Sequence, residues 1–402
     1  MADVATTAPR IKASATVYPV LFAVSLCHLL NDIMQSLLSA LYPMLKADYG
    51  LAFWQIGLLT FAFQVTASLL QPVVGLYTDR RPMPYSLPWG SASTLIGLVL
   101  LASASTYPLL VLGASFIGIG SAIFHPESSR IARFASGGRY GLAQSVFQVG
   151  GNLGTAVGPL LAAFIVVPRG QGSVAWFAIA ALISMIVLYW VGGWYTRYRA
   201  NAAKRPAAAE PARLPRNTVL VALVVLAMLT FTKNIYMASI SSYYTFFVMH
   251  KFGVSVQDSQ VMLFVFLGAV AAGTILGGPI GDRFGARTVI WISILGVLPF
   301  TLVMPYADLF WTQVLSAVIG LLMASAFPAI VVFAQELVPG RVGLIAGVFF
   351  GFAFGMGGIA AAVLGVVADA RGIEFVYLIC SFLPLLGLLT IFLPNMRALR
   401  AA

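Results

Sequence analysis

Two ionisable side chains stand alone where ionisable side chains are rarely found. Asp32 is the single formal charge in the apolar stretch Ala13–Leu45, and Lys233 is the single one in Asn217–His250. A charge at the centre of a lipid-embedded helix costs about 2.5–3.5 kcal/mol on insertion scales, so such a residue faces a partner or a water-filled chamber. At ~1.5 Å per residue, Asp32 lies roughly 21 Å along its helix from Tyr18 and Lys233 roughly 24 Å from Asn217. Equal depth predicts that acid and base point into one central cavity. A carboxyl whose surroundings alternate between water and protein can take up and release a proton, because burial disfavours its charged form. His28, one turn from Asp32, titrates near neutrality when unperturbed and can share that proton.

Polar residues in the same stretches extend this chemistry. His28, Asp32, Gln35, Ser36 and Ser39 fall on one helix face. Asn31 recurs as Asn234 at an offset of 203. A second face, Gln144, Gln148, Asn152 and Thr155, runs beside glycines 150, 154 and 158, whose missing side chains permit close helix approach. Lys233, Asn31, Gln35, Gln148, Asn152, Asn234 and Tyr243 are therefore candidate substrate contacts. His125, Glu127 and Arg130 lie near the end of another apolar run. Glu127 and Arg130 can pair along one face; Glu127 is a further proton candidate, while Arg130 and His125 can meet an anionic group.

The elements that must hold these groups follow from composition. Of 402 residues, 60% are apolar and 9% charged, with a mean hydropathy of +0.95. Soluble domains carry about 25% charged residues, so a soluble enzyme and a nucleic-acid-binding domain are excluded. Charge-free runs, with a break at Tyr107-Pro108, give twelve membrane-spanning helices; continuous apolar runs exclude a strand barrel. The first run is too long for a signal peptide. Of the 23 Lys and Arg residues, 18 fall on the side that holds both termini and the central linker, and four on the other. The positive-inside rule makes that first side cytoplasmic. Cys27 and Cys380 stand far apart in apolar runs, so neither a disulfide framework nor a Cys-rich metal site is expected. No cofactor or metal is called for, and no phosphate loop, His-Glu-x-x-His or nucleophile elbow supports a membrane enzyme.

The chain is also written twice. Gly75-Leu-Tyr-Thr-Asp79-Arg80 returns as Gly278-Pro-Ile-Gly-Asp282-Arg283 after 203 residues, and Arg139-Tyr-Gly141 returns as Arg341-Val-Gly343 after 202. An N-terminal bundle (1–196), a basic, Ala- and Pro-rich cytoplasmic linker (197–216) and a C-terminal bundle (217–402) result. Duplication with a midplane site between the halves is a transporter architecture.

On these features the chain resembles the major facilitator superfamily over essentially its whole length. The resemblance implies an all-α membrane fold of two pseudo-symmetric six-helix bundles. It also implies gating roles for Gly75, Asp79 and Arg80 and for Gly278, Asp282, Arg283 and Arg287. The first copy departs from the pattern after Arg80, reading Arg81-Pro-Met-Pro. Gly154-Thr-Ala-Val-Gly158-Pro159 resembles the glycine-proline motif of the antiporters. The runs His28–Pro43 and Phe124–Arg133 look like the fosmidomycin-resistance branch, which implies a monomeric, proton-driven drug exporter in the bacterial inner membrane, with protons and a small, anionic drug as partners. A symporter importing an organic anion and a broad multidrug exporter share the same fold.

Overall fold

The computed structural model describes residues 15–203 and 214–396. Within the linker, 204–213 lie outside the described residues, as do Arg10, Lys12, Arg397 and Arg400. The described chain is helical, with twelve helices long and apolar enough to cross a membrane: α1 Tyr18–Ala40, α2 Trp54–Arg80, α3 Ser86–Ser103, α4 Tyr107–Ala135, α5 Tyr140–Arg169, α6 Gln171–Ala202, α7 Arg216–Phe252, α8 Val261–Phe284, α9 Ala286–Tyr306, α10 Leu309–Leu337, α11 Val342–Arg371 and α12 Ile373–Phe392. The expected break at Tyr107-Pro108 is present, with α3 ending at Ser103 and α4 starting at Tyr107. Large apolar side chains such as Phe164, Ile186 and Phe264 are about three-quarters exposed, as lipid-facing residues are.

Prolines set local irregularities. The α-helical pattern of α10 is interrupted at Ala324–Ser325, four and three residues before Pro328, and that of α9 at Leu295–Val297, before Pro299. A proline lacks the N–H that would reach the carbonyl four residues earlier, and its ring crowds that carbonyl. The α10 interruption lies within two residues of Phe327, which contributes to the central region described below.

The buried apolar residues form three clusters, and their distribution gives the shape. One joins both bundles: Val20, Leu21, Phe124, Phe147, Leu188 and Tyr195 from the first half meet Leu226, Ile290, Ile330, Phe333, Ala346 and Phe350 from the second. All lie in the halves of their helices nearest the linker. The other two clusters are confined to one bundle each, Ile33 to Ala181 and Tyr236 to Cys380, at the opposite end. The bundles are thus fused at the linker end and have separate cores at the far end.

Candidate functional site

α1 and α5 pack tightly because α5 presents glycine to α1. A methyl group on Gly154 would meet the Leu29 carbonyl and Asp32, one on Gly151 would meet His28 and Asp32, and one on Gly158 would meet Ser36. This contact brings α5 against the polar face of α1. Asp32, 6% exposed, is the centre. Asn31 Nδ2 donates to its Oδ1 at 3.0 Å and Gln35 Nε2 at 3.1 Å, while Thr155 donates to Oδ2 at 3.4 Å. His28 Nε2 lies 3.5 Å from Oδ2 and His125 Nε2 3.7 Å from Oδ1. The two imidazoles are fully buried. Ligand-type atoms of His28, Asp32 and His125 lie within 4.8 Å of one another, a spacing in which one small cation can be shared.

Asp32 also lines a cavity of about 220 Å³. Its other walls include Gln35, Ser39, Tyr42, Thr60, Gln64 and Phe354, which lie from mid-helix toward the far end. On the linker side of Asp32 the passage is filled by rings. Phe350 of α11 stands 6.0 Å from Phe147 of α5, 5.0 Å from Phe327 of α10 and 5.2 Å from His125 of α4, centroid to centroid. The contacts with Phe147 and His125 cross between the bundles, so the cavity is closed toward the linker.

Lys233 is not among the partners of Asp32. The ammonium, on a half-buried side chain, lies 5.6 Å from the centroid of Phe327, a cation–π distance. The common cavity expected from their equal depths is therefore not seen in this conformation: Asp32 lines the cavity and Lys233 does not. Three groups of the first bundle, Asn31, Gln35 and Thr155, donate to the carboxylate instead, with the two imidazoles beside it. Asn234 is half-buried, and Tyr243 donates to the Ala361 carbonyl of α11 at 2.6 Å.

The polar face of α5 goes elsewhere than the cavity, apart from Thr155. Gln148 donates to Asn152 at 3.3 Å, and Asn152 donates to Thr274 of α8 at 3.0 Å, a hydrogen bond between bundles. Gln144 accepts from Ser129, whose hydroxyl in turn accepts from Gln335 of α10. Helical periodicity identified the face but could not say that helices of the second bundle cover it.

At the linker end the two written copies become two crossings between the bundles, at the places where the resemblance implies gates. Asp79, at the end of α2, accepts N–H bonds from Gly343 (3.0 Å) and Leu344 (2.8 Å) in the first turn of α11. Asp282, at the end of α8, accepts from Gly141 (2.7 Å) and Leu142 (2.9 Å) in the first turn of α5. First-turn amides have no partner within their own helix and carry the positive end of its dipole, so a carboxylate stabilises them. Each crossing is a glycine pair: a methyl on Gly75 would meet the Gly343 carbonyl, and one on Gly278 the Gly141 carbonyl. Gly141 and Gly343 were visible only as a repeated Arg-x-Gly, the signal that could have assigned them.

The structure places Glu127 and Arg130 in the first gate and not in the cavity. Arg130 Nη2 is 2.9 Å from Asp79 and 3.0 Å from Glu127. The guanidinium also donates to the Thr78 carbonyl at 2.9 Å and its hydroxyl at 2.6 Å. Arg80 is exposed, Arg283 lies beside the Phe284 ring, and Arg287 donates to the Ile391 carbonyl.

Comparison with known proteins agrees with this geometry. The Major Facilitator Superfamily model matches residues 24–247 and 223–401. The chain is 59% identical to the fosmidomycin resistance protein of Escherichia coli (strain K12), over 95% of this chain and 94% of that one. It is 42% identical to an uncharacterized MFS-type transporter of Bacillus subtilis (strain 168), over 97% and 96%. Among solved structures it is similar to the human organic anion transporter MFSD10 (TM-score 0.76, 17% identity, 95% and 100% covered) and to FucP in its outward conformation (0.74, 16%, 94% and 99%). The chain is a multi-pass membrane transporter, not an enzyme, and it belongs to the Major Facilitator Superfamily.

Proposed function

We propose that this protein exports a small anionic drug such as fosmidomycin from the bacterial cell in exchange for protons. It acts as a monomer in the inner membrane, and the units 1–196 and 217–402 rock about the cavity. The observation that carries the reading is a buried carboxylate, flanked by two imidazoles, at the closed end of a cavity that extends away from the linker. With the basic linker end and both termini on the cytoplasmic side, that cavity faces outward, and Asp32 can take a proton only from outside. The resemblance to a fosmidomycin resistance protein at 59% identity supports the drug class.

In the cycle, Asp32 is protonated from the outside, the gates open toward the cytoplasm, and the proton leaves inward as the drug enters. Lys233 then supplies the positive charge an anionic cargo requires. The glycine-proline stretch of α5, packed on the helix that carries Asp32, supports exchange over symport. Vesicle flux with a pH gradient set in either direction tests the reading. Asp32→Asn is expected to abolish uphill fosmidomycin export while the folded protein stays in the membrane, and undiminished uphill export by that variant would refute the proton role. Lys233→Ala is expected to weaken transport of anionic cargo and to spare neutral compounds.

A further inference from the structure

The two histidines beside Asp32 are fixed in one tautomer by the backbone. His28 Nδ1 lies 2.8 Å from the Phe147 carbonyl and His125 Nδ1 lies 3.0 Å from the Ser121 carbonyl. A carbonyl only accepts, so each Nδ1 carries a hydrogen and, in a neutral ring, each Nε2 presents a lone pair. Both Nε2 atoms are buried without a hydrogen-bond partner, and both face the carboxylate. Two lone pairs and an anion repel one another until a proton lies among them.

The histidines differ in what lies behind them. His28 stacks on Phe147 at 4.1 Å, within its own bundle. His125 contacts two rings of the opposite bundle, Phe350 at 5.2 Å and Phe354 at 4.9 Å, both on α11. That continuous helix begins with the Gly343 and Leu344 amides that Asp79 holds shut. From Leu344 to Phe354 is about 15 Å along the axis at 1.5 Å per residue. One helix therefore touches the carboxylate's neighbour and the gate.

We propose that His125 belongs to the proton site and is the positioning residue that passes its occupancy to α11 through Phe350 and Phe354. The proposal rests on the reading of Asp32 as the proton acceptor. A proton shared between Asp32 and His125 draws Nε2 from 3.7 Å to the ~2.8 Å of a charge-assisted hydrogen bond. The ring then withdraws from the two phenylalanines, α11 is released, and the first gate opens toward the cytoplasm. Packed interfaces amplify small shifts of this kind because they switch between discrete arrangements. The titratable groups around His125 are His28 and Asp32 on α1, Glu127 and Arg130 on its own helix and Asp79 on α2. Of the last three, Arg130 pairs with both Glu127 and Asp79, while α11 presents Phe350 and Phe354.

Spin labels on Arg81→Cys and Arg341→Cys, both exposed positions flanking the first gate, report its opening in reconstituted protein as the pH is varied. Lowering the pH is expected to lengthen the label distance, and His125→Gln to abolish that response or move its midpoint by about one pH unit or more. Phe354→Leu, which leaves the first bundle intact, is expected to shrink the pH-driven change by at least about half. A parent without a pH response, or His125→Gln and Phe354→Leu with the parent's response, overturns the proposal. A response that survives Asp32→Asn but not His125→Gln overturns the Asp32 reading and keeps the role of His125. The reverse result overturns His125 alone.

Discussion

The two gates have one plan and two fillings. In both, a carboxylate from the end of an even-numbered helix holds the first-turn amides of a helix from the other bundle, across a glycine–glycine crossing. At the first gate Arg130 completes the closure by pairing with Asp79 and Glu127. At the second, the position 203 residues after Arg130 is Phe333, which with Asp282, Gly141 and Glu336 lines a cavity of about 470 Å³. The first gate is a desolvated charge network and the second a pair of capped amides beside a void. A buried network that loses one member leaves the others uncompensated, whereas a lost cap exposes amides that water can reach. On that ground the first gate is expected to resist opening more than the second.

The largest test of this asymmetry is Arg130→Ala. Glu127 and Asp79 would then lie near each other without their shared counter-charge, a loss of about 3–5 kcal/mol for a broken buried pair. Transport in vesicles is expected to vanish and thermal stability to fall; flux within about twofold of the parent would place the two gates on an equal footing. Gly343→Ala comes next, because its methyl would press on Arg130 and Asp79, at an overpacking cost of about 1–3 kcal/mol. Gly141→Ala, whose methyl would lie 2.5 Å from the Gly278 carbonyl and 3.0 Å from Asp282 Oδ1 at the second glycine crossing, is expected to reduce flux by a comparable amount. Asp282→Asn should cost about 1 kcal/mol, the usual scale of a lost helix cap, and leave measurable transport. An effect as large as that of Asp79→Asn would refute the difference. Arg80→Ala, at an exposed position, should change stability by no more than about 0.5 kcal/mol and leave flux near the parent's.

Much of this was legible in the sequence because membranes penalise exceptions. Twelve apolar runs, a lone Asp32 in one of them and an aspartate written twice 203 residues apart are each expensive or unlikely without a cause. What escaped was tertiary. Arg130 near the end of α4 reads equally as a membrane-edge charge or an anion contact, and only the approach of α2 turns it toward Asp79. Lys233 matched Asp32 in depth, but depth along a helix says nothing about rotation about it, and the two head groups found different partners. Asn152 showed its face and not its covering helix. His125 looked like a neighbour of Glu127, whereas two residues along a helix turn a side chain by about 200°, toward Asp32 and the rings of α11.

The apolar cluster common to both bundles sits only at the linker end. Admitting cargo from that side means wetting it, while the chamber that shuts in exchange has four apolar side chains, Leu38, Phe63, Ala67 and Phe354, beside its hydroxyl and amide groups. Hydration of apolar surface carries a large positive heat capacity and becomes less unfavourable on cooling. The balance between the two orientations of the carrier should therefore bend with temperature, with cold favouring the form open toward the linker.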